Sequence, residues 1–195
     1  MKTPFEGRAL ILHRPHATTD GLIRQLTQLG IGADSVWPDL PSGFDKAPYG
    51  VVFFDADMGH DGQFPWAAGF APMPSIALIG SEAPGRVAWA IKRGADAHLL
   101  KPIAGGGVFS ALLIARDSFA RRQQLHDEVG ALRRRLDLRE ALAEATALLM
   151  SSEGLSATAA YRALRRRAMD ERLSIEDMAV QLVTRGRIAR RHDRA

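Results

Sequence analysis

The feature that most limits what this chain can fold into is a stretch of 43 residues, Val108 to Met150, with no proline and a single glycine, Gly130. Nearly every other position in it is a strong helix former, so the stretch predicts one continuous helix. At about 1.5 Å per residue that helix would run roughly 65 Å, more than a small domain can cover. Leu125, Val129, Leu132 and Leu136 recur along it with the 4-3-4 spacing of a coiled-coil seam, and Arg and Asp/Glu surround them. A narrow apolar stripe needs a covering surface. The helix either folds back on its own domain or pairs with a second copy, and a parallel homodimer is the preferred reading although the seam falls short of roughly three to four heptads.

Charge is distributed unevenly about this helix. Residues 1–110 carry nine Lys/Arg against ten Asp/Glu, whereas residues 111–195 carry 17 against 12, so the net charge of +4 belongs to the C-terminal part. All 17 of those basic residues are arginine. The guanidinium fork grips phosphate or a guanine edge with two bonds and stacks on bases, which points to nucleic acid. Solvated helix faces encoded by a GC-rich genome are the plainer alternative.

Other classes are disfavoured by what the sequence lacks. There is no cysteine, hence no disulfide, thiolate metal site or cysteine nucleophile. No run approaches the roughly 18 apolar residues of a membrane span, and the start does not resemble a secretory signal, so a cytoplasmic location is expected. The six histidines (His13, His16, His60, His98, His126 and His192) show no ligand spacing, and "AGGGVF" lacks the Lys-Ser/Thr of a phosphate-binding loop. Neither an enzyme nor a cofactor or metal site is expected.

The first hundred residues alternate short apolar runs with helical patterns. "RALILH", "GADSVWP", "VVFF", "SIALIG" and "AHLL" read as five strands; "ATTDGLIRQLTQLG" and "GRVAWAIKRG" read as helices. Continuous apolar runs separated by helices imply a parallel sheet covered on both faces. Ligands of such sheets sit at the C-terminal ends of the strands, where Asp55 falls.

"FFDADMGHDG" resembles the third-strand segment of response-regulator receiver domains, and "GADAHLLKPI" is similar to their fifth. The resemblance implies a flavodoxin-like, doubly wound, five-stranded α/β domain with Asp55 at the phosphoacceptor position and Lys101 at the position that contacts the phosphoryl group. Receivers also carry an acidic pair after the first strand to hold magnesium and a Ser or Thr after the fourth; this chain has His13 and Arg14, and Gly80 with Ser81 one residue late. Phosphoryl transfer to a carboxylate depends on the metal that neutralises the converging anions. Asp55 is therefore read as structural or vestigial, with Arg14 as its ion-pair partner, and Asp57 and Asp61 as a solvated acidic loop.

Beyond the long helix, "LSATAAYRALRRRAMD" places Ala160, Leu164 and Ala168 on one stripe after Ser156 as N-cap, and "LSIEDMAVQLV" begins with a capping-box-like Ser174 to Asp177 before the apolar face Ile175, Met178, Ala179 and Leu182. With the end of the long helix they predict a three-helix bundle. "EATALLM", "AAYRALRRRAMD" and "IEDMAVQLV" resemble the ANTAR domain, the RNA-binding module of transcription antiterminators, and the whole chain resembles the AmiR-like antitermination regulators. Where the family shows Ala-Lys-Gly, this chain has Ala145, Thr146 and Ala147.

The implied organisation is a degenerate receiver over 1–107, a coiled-coil dimerisation helix over 108–138, an ANTAR bundle over 139–184 and a basic tail over 185–195. The implied function is a dimer that binds a leader RNA with two hexanucleotide-loop hairpins and prevents terminator formation. RNA contact is expected from Arg165 and Arg166, then Arg162 and Arg167, with Thr146 at the changed position. Tyr161 would make a stacking platform, although an aromatic at helical spacing more often packs. A periplasmic-binding-protein-like amide sensor that sequesters the regulator, and amidase genes as targets, are implied by the same resemblance. A DNA-binding response regulator and an adaptor for an acidic protein are the alternatives.

Overall fold

The computed structural model of the chain describes residues 6–103 and 105–192, with side chains described through residue 185. Contacts divide it into two units, residues 1–124 and residues 125–195.

The first unit is a five-stranded parallel sheet in the order β2-β1-β3-β4-β5, with β1 Arg8–Leu12, β2 Ala33–Val36, β3 Tyr49–Asp55, β4 Ser75–Ile79 and β5 Ala97–Leu100. This is the flavodoxin-like order. Pleat alternation sorts the apolar runs onto two faces. Ile11, Phe53, Ile76 and Leu78 face a core closed by α1 (Ala17–Gln28) and by Val108, Leu112 and Ala115 at the start of α3 (Val108–Glu153). Leu12, Val52, Phe54 and Ile79 face a second core closed by α2 (Pro84–Arg93) and by Leu40, Phe64 and Met73 from loops. Phe64 and Trp89 meet Phe54 edge-on there.

Two crossovers depart from the alternation of strand and helix. Among the described residues, 37–48 hold no helix and 56–74 hold only the short 3-10 turn Asp61–Gln63. Pro38, Pro41, Gly43 and Pro48 punctuate the first segment, and Gly59, Gly62, Pro65, Gly69, Pro72 and Pro74 the second, removing donors and adding backbone entropy wherever a helix would start. Where helices do form, their ends are explicit. Pro84 opens α2 and Gly94, in the left-handed region at φ 85°, closes it.

The long helix spans 46 residues, with three more at its end than its sequence pattern predicts. Its anchor in the first unit is Arg122, which donates to the Gly94 carbonyl at 3.0 Å and pairs with the buried Asp96 carboxylate at 2.9 Å. Burial pushes the Asp96 carboxyl above its ordinary range, and hydrogen bonds from Ser75 and the charge of Arg122 partly offset that.

The second unit packs the end of α3 against α4 (Ala157–Asp170) and α5 (Ile175–His192). Its buried residues are Ala145, Leu149, Ala160, Leu164, Ala168, Met178, Ala179 and Val183, of which half are alanine. Alanine lets helices approach closely but contributes little area, so a bundle of this size is thinly stabilised. Ser156 caps α4 by accepting from Ala159 N, as expected. At the start of α5 the Ser174 hydroxyl accepts from Asp177 N at 3.0 Å and donates to the Asp177 carboxylate at 2.6 Å, completing half of a capping box. Between α4 and α5, Arg172 takes a positive φ of 58° that glycine would adopt without strain. The segment expected as a separate tail continues α5 as far as His192. Its Arg-rich composition propagates a helix across the lone Gly186, while residues 193–195 lie outside the described residues.

Candidate functional site

Three strand ends build the first site. His13, Asp55 and Lys101 each stand two residues beyond an inward-facing strand residue, namely Ile11, Phe53 and Leu99. Since Ile11 is in register with Phe53, the pleat brings the polar residues to one place above the same core. Lys101 Nζ lies 2.8 Å from Asp55 Oδ1, 2.6 Å from Asp57 Oδ2 and 3.4 Å from His13 Nε2. His13 Nδ1 is 2.7 Å from the Arg14 carbonyl and 3.2 Å from the Thr19 hydroxyl, while its Nε2 lies between Lys101 and Asp55. Lys101 thus bridges both carboxylates.

The partner of Asp55 is thus Lys101 with His13, not Arg14 as the sequence suggested. The buried His13 continues the parity of Ile11 toward Asp55 at 3.3 Å, while Arg14, one residue on, makes no ion pair with Asp55 but joins His13, Asp55, Asp57 and Lys101 in lining an open cavity of about 390 Å³. Nor is Asp57 solvated. Its carboxylate accepts from Gly80 N at 2.8 Å and Ser81 N at 2.9 Å as well as from Lys101. Burial alone would raise its pKa, but Lys101 and the two backbone donors outweigh it and hold the group below the ordinary carboxylate value. Asp61 accepts from the Trp89 indole at 3.0 Å and faces Arg93 at 3.7 Å.

These residues do not fit a divalent cation. Hard cations want several oxygen donors, and here an ammonium takes the two carboxylates while an imidazole and an arginine follow β1. Among the described residues no cluster of acidic residues and histidines is arranged to hold a metal. Gly80 belongs to the same arrangement. A Cβ there would lie 2.7 Å from Asp57 Oδ2 and 3.0 Å from Lys101 Cε, so a hydroxyl-bearing residue at the end of β4 would require the Asp57 and Lys101 side chains to shift.

The second site is the outer surface of α4. Arg162, Arg165 and Arg166 are exposed, whereas Arg167 is half-buried and paired with Glu153 at the end of α3. Tyr161 is 44% exposed; one position takes it some 100° round from Ala160, to the edge of the buried stripe. Thr146 gives its hydroxyl to the Leu142 carbonyl at 2.7 Å, within α3. Glu153 and Leu155, missed in the sequence, join Ala159, Arg162, Ala163 and Arg166 around a cavity of about 450 Å³. A helix-terminal Glu followed by Gly154 carried no signal beyond the stop of a helix.

The third feature is the seam. Leu125, Val129, Leu132 and Leu136 are 45–62% exposed. Arg122, the preceding seam position, is turned to Asp96, which ends the stripe.

The family model described as "AmiR, N-terminal" matches residues 8–116, and that described as "ANTAR domain" matches residues 130–183. The transcriptional regulatory protein PdtaR of Mycobacterium tuberculosis, in strains CDC 1551 / Oshkosh and ATCC 25618 / H37Rv, is 31% identical over 86 residues, 44% of this chain. The match spans 42% of the length of those curated relatives. Among solved structures, full-length FixJ from B. japonicum is 17% identical with a TM-score of 0.43, covering 94% of this chain and 98% of its own. A response regulator from Burkholderia pseudomallei is 19% identical with a TM-score of 0.41, covering 86% and 99%. No described helix is long and apolar enough to cross a membrane. With its first family match covering more than half of its length and the second covering the helical bundle, the chain belongs to the AmiR N-terminal family and carries an ANTAR domain, which makes it a response-regulator-like transcription regulator.

Proposed function

We propose that the chain is an RNA-binding antitermination regulator that acts as a homodimer on a two-hairpin leader RNA and answers to a ligand-sensing partner rather than to phosphorylation. The observation that carries this reading is the exposed arginine face of α4, Arg162, Arg165 and Arg166, on a bundle matched by the ANTAR family. Specific RNA recognition favours splayed loop bases read by stacking and hydrogen bonds, with arginine on the phosphates. Two hairpin loops suit two copies of one surface.

Charge around the seam supports a parallel, in-register pair. With Leu125 and Leu132 at d and Val129 and Leu136 at a, Glu128 and Arg135 fall at g and Arg133 and Glu140 at e. A g residue meets the partner's e residue five positions on, so Glu128 faces Arg133 and Arg135 faces Glu140, each twice by symmetry. Control by something other than phosphate is supported by the end of β1, where His13 and Arg14 stand in place of a metal-holding acidic pair beside Asp55. A periplasmic-binding-protein-like amide sensor as the sequestering partner, and amidase genes as the regulated set, rest on family likeness alone.

The test is binding of the purified chain, at two salt concentrations, to an RNA with two hexaloop hairpins, to the same RNA with one loop scrambled, and to duplex DNA. Loss of tight binding on scrambling one loop is the expected result. Equal, steeply salt-dependent binding to all three would mean that the arginines supply only charge.

A further inference from the structure

The arginines of α4 are not equivalent, and the cavity at its side separates them. Ala159, Arg162, Ala163 and Arg166 follow i, i+3, i+4, i+7 spacing and form one stripe of the helix. Leu155 and Glu153 close it from the preceding turn. The floor is apolar, made of Leu155, Ala159 and Ala163; the rim is cationic, made of Arg162 and Arg166, with Arg167 tied to Glu153. Tyr161 and Arg165 are not among the lining residues.

Apolar side chains beside two guanidinium heads suit a ligand with an apolar ring and an anionic edge. A carboxylate on a short peptide stem would satisfy the rim and leave the floor empty. At about 450 Å³ the space lies within the roughly 300–1,000 Å³ range of small-ligand sites. We infer that this cavity seats a single unstacked RNA nucleotide, its base against Leu155, Ala159 and Ala163 and its phosphate on Arg162 and Arg166. The inference rests on the RNA-binding reading above and narrows it. Arg162 and Arg166 recognise, Arg165 attracts, and Arg167 braces Glu153 at the cavity wall.

The test separates shape from charge, using the full-length chain. Ala163→Leu fills the floor with a good helix former and leaves every charge in place. Its affinity for the two-hexaloop RNA is expected to fall about tenfold or more, the range of a lost base-stacking contact. Its binding to unrelated duplex RNA, and the salt slope of that binding, should stay as in the parent. Arg166→Gln should weaken hexaloop binding more than Arg165→Gln does, and far-UV circular dichroism with thermal melting checks that each variant is folded. Replacing the loop nucleotides one at a time by abasic residues should reveal one position whose loss costs the parent affinity but costs Ala163→Leu nothing further, since each change removes the same contact. If the parent fails to discriminate the hexaloop RNA from its scrambled form, the RNA reading itself falls. If the parent discriminates and Ala163→Leu discriminates equally well, the nucleotide seat falls and the RNA reading stands. If Ala163→Leu instead loses binding to a polyglutamate peptide while hexaloop binding is kept, the occupant is an acidic protein segment and the inference is overturned.

Discussion

The two units handle charge in opposite ways. In the first, three cations are consumed internally: Lys101 by Asp55 and Asp57, Arg122 by Asp96, Arg8 by Asp34. In the second, Arg162, Arg165 and Arg166 stand outward on a helix whose inner face is mostly alanine and leucine. The first unit has spent its electrostatics on itself, within a sheet closed on both faces. The second has spent little: its arginine face is left open to solvent.

The sharpest way to break this contrast is to remove the internal cation. Lys101→Met leaves two neighbouring carboxylates without it, and such a change should cost the first unit about 3–5 kcal/mol in denaturant unfolding at neutral pH. The loss should shrink as pH falls toward the carboxylate range, because protonation removes the uncompensated charge, and Asp55→Asn in the same chain should recover part of it. Next in size is the seam. Leu132→Asp places a charge on the apolar stripe and should turn the proposed dimer into a monomer in sedimentation analysis while leaving the unfolding of the first unit unchanged.

Asp57→Asn gives a smaller, pH-coded effect of about 1–3 kcal/mol. Because Asp57 is held below its ordinary value of 3.8 in the fold, its contribution is present above that value and lost as pH falls through the folded one. The parent and the Asn variant should therefore differ at neutral pH and converge in strong acid; a constant gap would show that the carboxylate charge is not what matters. The smallest expected effect belongs to the second unit. Arg172→Gly relieves a positive φ and should stabilise it by about 0.5–1 kcal/mol, visible as a raised melting temperature without loss of RNA affinity.

What was legible in the sequence follows from periodicity. Apolar runs located all five strands, and the 4-3-4 spacing located a seam that is exposed. Period-2 logic also held the answer to which residue meets Asp55: His13 shares the parity of Ile11, and Arg14 does not. That answer went unread because an arginine is the more obvious partner of a carboxylate. Exposure of Tyr161 was not legible from spacing alone, since an amphipathic helix leaves room for an aromatic at the edge of its apolar stripe. Glu153 and the cavity it closes were invisible because they depend on how the chain turns at Gly154, which takes a positive φ of 66°.

Gly80 has a consequence for how such a chain can change. A threonine there would collide with Asp57 and the Lys101 stem, and an aspartate in place of His13 would set a third carboxylate against one ammonium. Each of these two replacements disturbs the Lys101 cluster. The residue without a side chain thus sets how closely Asp57 and Lys101 can pack against the end of β4.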